Sequence, residues 1–218
     1  MTSSRGWPST VLLLVAVLAA LCAVVAGWGW LLTHPLASSL GAADDDLARW
    51  IADERTPTLG DVAEVGTLLG ETIVGVVGLA LLGLGFSLWK RSPLPVLFVL
   101  LVDAGIGGIY FVGTHLVARD RPPVKILDAG LVPDHSFPSG HVGTATALFG
   151  CAVVLVWAYT RMARWAAPLL VLPVFAMAAR LYQGAHHLTD VLTSVAYTSV
   201  WVGVVAALVL SRRETPAG

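Results

Sequence analysis

The stretch His135-Ser136-Phe137-Pro138-Ser139-Gly140-His141 interrupts an otherwise apolar chain and runs directly into Val142-Gly143-Thr144-Ala145-Thr146-Ala147-Leu148-Phe149. Proline disfavours helix at Phe137 and is tolerated at a helix start, and Ser139 is suited to cap the helix that follows. The freed N–H groups of Ser139, Gly140 and His141 then point outward together. A positive helix terminus with a hydroxyl and a histidine can hold a phosphate and protonate its leaving oxygen. Taken alone, the seven residues also fit an ordinary loop-to-helix cap.

The surrounding composition defines the solvent of this helix. Of 218 residues, 56% are hydrophobic and 12% charged, and the mean hydropathy is +0.80. That balance belongs to a membrane protein. The length accommodates roughly six spans of about 20 residues with short loops. The expected fold is all-α, an integral membrane bundle of six transmembrane helices forming a single domain over residues 1–218. A formal net charge of −1 with no basic run leaves no nucleic-acid footprint. Cys22 and Cys151 fall in apolar runs and read as packing residues, not as a disulfide or metal pair.

Working outward, the apolar run at about 11–32 is longer than the roughly 7–15 apolar residues of a secretory signal and reads as a retained first span. Trp28 and Trp30 mark its outer interface. Residues 34–64 are acidic, with Leu47, Trp50 and Ile51 recurring at helical spacing. They predict an interfacial helix with a solvated acidic face. The second span is read as about 66–89, its glycines permitting close helix approach. The third, about 94–117, carries Asp103 near mid-depth, where an ionised carboxylate costs about 2.5–3.5 kcal/mol; Asp103 is therefore expected to face protein. The fourth ends near Tyr159, the fifth covers about 166–182 and the sixth about 191–210.

Six spans place Arg5, Lys90, Arg91, Arg161, Arg164, Arg212 and Arg213 on one face, which the positive-inside bias makes cytoplasmic. The acidic segment, the loop containing Arg119 and Arg121, and the loop after Arg180 then share the extracytoplasmic face. In the last loop His186 and Asp190 are four apart and share a helix face. With Nδ1–H tied to Asp190, His186 would present Nε2 as a nucleophile. His187, three from Asp190, reaches it as well.

Arg121-Pro122, Pro138-Ser139-Gly140-His141, and Arg180 followed by His186 and Asp190 resemble the three motifs of the type 2 phosphatidic acid phosphatase (PAP2) superfamily. The resemblance is to its membrane lipid phosphatase branch. The core motifs fall within residues 114–190, and the six-span layout fits from about Arg49 to Arg213. The family's third-motif spacing selects His186 over His187. The resemblance implies that Arg121 and Arg180 hold phosphoryl oxygens, with Ser139 and the Gly140 N–H completing the cradle. It also implies that His186 attacks phosphorus, Asp190 orients it and His141 protonates the leaving group. The implied activity is metal-independent and cofactor-free hydrolysis of a lipid phosphomonoester or diphosphate through a phosphohistidine, at the extracytoplasmic face of the cell membrane. The implied partners are the lipid phosphate and the bilayer, with no protein partner indicated. Polyprenyl diphosphate, phosphatidate and phosphatidylglycerophosphate all suit such a site.

Two positions depart from the pattern. Ala179 stands where the third motif usually opens with serine, and Thr114 stands where the first usually opens with lysine. A missing cation weakens phosphate binding. Arg119 is the expected substitute, being nearer the span than Lys125 and having a planar fork suited to phosphate oxygens. The alternative functions are a catalytically weak relative that binds lipid phosphates or a partner, and a transporter, for which only Asp103 offers a polar path.

Overall fold

Hydrocarbon leaves a chain no external partner for its peptide groups, so each apolar run closes its own hydrogen bonds as a helix. The computed structural model describes residues 6–160 and 162–212; Arg5, Arg161 and Arg213, assigned above to the basic face, lie outside them. The helices are α1 (Trp7–Thr33), α2 (Ala42–Asp53), α3 (Pro57–Leu68), α4 (Thr72–Lys90), α5 (Leu94–Leu116), α6 (Gly140–Tyr159), α7 (Ala163–Ala166), α8 (Val171–Tyr182) and α9 (Leu188–Val209). Six stretches among them are long and apolar enough to cross a membrane: α1, α4, α5, α6, Arg164–Tyr182 and α9. Among the described residues there is no strand, only an isolated parallel bridge between Arg119 and His135. The chain is a multi-pass, all-α membrane protein.

The centre of the bundle is α5, α6 and α9, which supply the fully buried Phe98, Val102, Ile109, Leu155, Val205 and Val209. Half of the apolar window of α6 is enclosed, against 17% for α1 and for α4, which face outward. Lipid tails are as apolar as leucine, so association rests on close packing and hydrogen bonds. Gly105 illustrates it: a Cβ there would collide with the Trp201 indole, whose Nε1–H donates to Leu101 O at 3.0 Å. A methyl group forced into that contact would cost about 1–3 kcal/mol.

The second span begins later than its hydropathy suggests. Thr56 caps α3 by accepting from the Leu59 N–H at 3.3 Å, with Pro57 at the first helical position. The helix stops at Leu68, and Gly70 N–H donates to Thr67 O at 2.9 Å in the turn before α4. Gly66 and Gly70, read above as part of the span, therefore belong to α3 and its turn. The break has a packing cause: a Cβ on Gly70 would lie 2.5 Å from His141 O, so only glycine lets this turn close on the start of α6.

The acidic segment also differs from its reading. It forms α2, as expected, but Asp44 is buried and Asp45 half-buried, so the acidic face is turned partly inward. Asp103 lies on the wall of a cavity between α4, α5 and α6.

Candidate active site

Four elements deliver the motif residues to one end of the bundle. The loop after α5 folds back on itself: Arg119 N–H donates to Asp134 O at 3.1 Å, Arg121 N–H to Pro133 O at 3.1 Å, and Ser136 N–H to Arg119 O at 3.0 Å. That fold-back brings the first motif beside the second. Ser139 caps α6 as its sequence predicts, its Oγ accepting from Val142 N–H at 3.5 Å, after a cis Phe137–Pro138 bond. As the first helical residues, Gly140 and His141 have N–H groups without intrahelical acceptors.

The third motif is set by a helix stop. Beyond α8, Gly184 adopts φ +69°, Gly184 N–H donates to Leu181 O at 3.0 Å and Ala185 N–H to Arg180 O at 3.1 Å. This is a Schellman end, which glycine permits without a Cβ penalty. It reverses the chain just past Arg180, in the last turn of α8, and leads within two residues to His186.

A cavity of about 390 Å³ opens among these elements, lined by Arg121, His135, Gly140, His141 and His186 at its polar end and by Val76, Asp103 and Ile106 further in. Ser139, Arg180 and Asp190 are fully buried and are not on its wall. His187 is also absent from it; its Nε2 lies 3.0 Å from Asp45 Oδ1 and its Nδ1 3.3 Å from Asp190 Oδ2. The two adjacent histidines thus occupy different surroundings, and His186 is the one in the cavity.

The partner of His186 departs from expectation. Its Nδ1 lies 2.6 Å from Ser136 O, whereas Asp190 Oδ2 is 4.0 Å away. Nδ1–H therefore donates to a backbone carbonyl, and Nε2 is left for the cavity. Asp190 acts one step removed: Oδ2 accepts from Ser136 Oγ at 2.6 Å and from His187 N–H at 2.9 Å, and Oδ1 accepts from Arg119 Nη1 at 2.5 Å. With His187 as its N-cap, α9 begins in a capping box closed by Asp190. Burial lowers the His186 pKa to about 3; Arg180 and Arg121 act in the same direction and Asp190 against it. Its imidazole is neutral, the form a nucleophile needs.

Arg121 donates from Nε to Val132 O at 2.8 Å, from Nη1 to Ala185 O and from Nη2 to His135 O at 3.0 Å, tying the three motifs together. Two of its five N–H donors remain. Burial lowers its pKa, and so does the Arg180 guanidinium nearby. Arg180 donates from Nη1 to Asp128 Oδ2 at 2.7 Å and to Gln183 Oε1 at 2.9 Å, while its Nε and Nη2 are buried without a protein partner. A fully buried cation with free donors, beside a second guanidinium, suits an anion with several oxygens.

Arg119 does not take the place of the missing lysine. Nη2 donates to Asp44 Oδ2 at 2.8 Å and Nη1 to Thr189 Oγ1 at 2.7 Å as well as to Asp190, and the side chain is absent from the cavity wall. Two buried carboxylates hold and neutralise it. Thr114 is buried too, its hydroxyl donating to Tyr110 O at 3.0 Å. Sequence reasoning missed Ser136, Asp128, Asp44 and Glu71, whose Oε1 lies 3.3 Å from His141 Nε2. Only Ser136, within the opening motif, had a local signal.

A sequence model of the PAP2 superfamily matches residues 92–214, more than half the chain, and the chain belongs to that superfamily. Its fold is similar to the crystal structure of a transmembrane PAP2 type phosphatidylglycerolphosphate phosphatase from Bacillus subtilis. The TM-score is 0.74 at 22% identity, over 94% of this chain and 98% of that one. The likeness of fold therefore extends through α1–α4, which precede the matched residues. A comparison with curated proteins gives no match.

Proposed function

We propose that the chain is a membrane lipid phosphatase that hydrolyses a lipid phosphomonoester or diphosphate through a phosphohistidine on His186. The observation that carries this reading is Arg180, fully buried with Nε and Nη2 unpartnered beside the histidine cavity. Membership of the superfamily and the fold of the Bacillus protein support it.

On this reading Arg180, the remaining donors of Arg121 and the N–H of Gly140 hold the phosphoryl oxygens, with Ser139 fixing the helix start. His186 Nε2 attacks phosphorus; the P–N bond forms as the P–O bond to the lipid breaks, and His141 protonates the departing oxygen. Water then attacks the phosphohistidine, giving its proton to His141 and releasing phosphate. Asp190 positions Ser136, whose carbonyl fixes the His186 ring. Lys90, Arg91 and Arg164 follow from the chain's alternation as residues of the opposite face, and the positive-inside bias supports an extracytoplasmic side for this chemistry.

The buried Thr114 and committed Arg119 leave one cation fewer than the family pattern. That favours, as a second reading, a weakly catalytic protein that binds lipid phosphates. Phosphate release by the purified protein in chelator decides, measured on phosphatidate, phosphatidylglycerophosphate, polyprenyl diphosphate and a water-soluble ester. Release from any lipid supports the phosphatase; binding without release selects the second reading.

A further inference from the structure

We propose that Glu71 is the positioning residue of the proton donor, holding His141 by Nε2 so that Nδ1 delivers the proton to the leaving oxygen. The inference rests on the phosphatase reading but adds a residue outside its three motifs and outside residues 92–214. Glu71 is the residue immediately before α4, and its Oε1 lies 3.3 Å from His141 Nε2. That is the ring's one hydrogen bond among the described residues, leaving Nδ1 uncommitted on a ring that lines the cavity.

The contact is built by the fold. Gly70 lets the turn before α4 press on the His141 carbonyl, and Gly70 N–H and Glu71 N–H donate to Thr67 O and Leu68 O at 2.9 and 3.3 Å. Thr72 and Val76, in the first turns of α4, line the same cavity. The carboxylate is therefore carried by a turn seated on the residue it holds. The side chains of Glu71 and His141 are 43% and 22% exposed, so the pair contributes little to stability. Its effect falls on the proton.

The proton balance is complete. With Nε2–H donated to Glu71, the imidazolium carries its second proton on Nδ1. That proton passes to the departing lipid oxygen as the P–O bond breaks, leaving neutral imidazole still bonded to Glu71. When water attacks phosphorus, Nδ1 takes its proton back and the P–N bond breaks, restoring the starting state. His186 has no such carboxylate on its ring, since its Nδ1–H goes to the Ser136 carbonyl. Burial and then Arg180 lower the His141 pKa, and the bond to Glu71 acts against that fall, favouring the protonated ring that donates.

The test uses the purified full chain in detergent with two substrates, a diacylglycerol phosphate and p-nitrophenyl phosphate. An alkoxide needs a proton to leave, whereas nitrophenolate does not. Glu71→Gln should lower kcat/KM on the lipid by about 10- to 100-fold, part of the roughly 10²–10⁴-fold a positioned proton donor supplies, and lower it far less on the nitrophenyl ester. His141→Ala should show the same split more strongly, and Glu71→Asp should restore part of it. Equal losses on both esters, or no loss on either, would overturn the proposal. Should Glu71→Gln fail to fold, the substrate ratio for Glu71→Asp decides by the same criterion. A wild-type protein that releases phosphate from neither ester removes the phosphatase reading itself. An active wild type without the split removes only the role of Glu71.

Discussion

Arg119 Nη2 lies 2.8 Å from Asp44 Oδ2, joining two buried side chains 75 residues apart, and the same guanidinium donates to Asp190. The geometry gives Arg119 a structural part in holding the third motif. Truncating it leaves two buried carboxylates uncompensated. Arg119→Ala should lose about 3–5 kcal/mol of stability, read by thermal unfolding in detergent, and Asp44→Asn in the same chain should recover part of the loss. A stable Arg119→Ala protein altered only in substrate binding would return Arg119 to the phosphate.

His186 faces the cavity and His187 does not, so the nucleophile can be located chemically. His186→Ala should abolish turnover. His187→Ala should retain turnover while losing about 1 kcal/mol of stability, because the ring belongs to the cap of α9. Acid-labile phosphate trapped on His187 instead of His186 would sink the assignment.

The depressed pKa of His186, about 3 in the folded protein against roughly 6.5 for a free histidine, has a definite sign. Above the unfolded value both states are neutral and pH has no effect through this group. As pH falls from about 6.5 towards 3, the unfolded chain binds a proton that the folded chain refuses, and stability is lost. The unfolding midpoint should drop through that window, and less steeply in His186→Leu. Rapid-quench measurement of phosphoenzyme formation should show no protonation of the nucleophile between pH 5 and 8.

Arg180→Lys keeps a charge but discards the planar fork. Loss of the donors at Nε and Nη2 should lower kcat/KM by about 10²–10³-fold, the usual effect of removing one preorganised donor to developing charge. Protection of the protein by inorganic phosphate against heat should vanish in the same variant. Unchanged protection would mean that phosphate does not reach these donors.

Sidedness is open to labelling. In a chain whose two cysteines are replaced, a cysteine at the exposed Asp46 should react with an impermeant thiol reagent on intact cells, and one at the exposed Trp165 should not. The reverse pattern would move the site to the cytoplasm.

Local signals in the sequence predict local structure well. The cap at Ser139, the span ends at Tyr159 and Tyr182, and the convergence of His141, Arg121 and His186 on one face follow from apolar length, loop composition and capping chemistry. What escaped was where long-range partners point. Asp44 looks like a solvated acid because its neighbours are acidic, and nothing nearby announces Arg119. Glu71 was hidden by Gly66 and Gly70, whose apolar surroundings extend the hydropathic run past a real helix break. Arg119 looked free because spacing records charge without recording the carboxylates that claim it.

The long reach of Asp44 bears on how the protein is made. Thr189, one of its partners, is 145 residues later in the chain, about 7–30 s later at a synthesis rate of 5–20 residues per second. By the end of that interval the chain has made its acidic interfacial helix and the five candidate spans that precede α9, and only then are His186 and the start of α9 added. The end of the molecule that carries the candidate site is therefore closed last, after insertion is nearly finished. A stalled or truncated product would sit in the bilayer without the histidine proposed as its nucleophile.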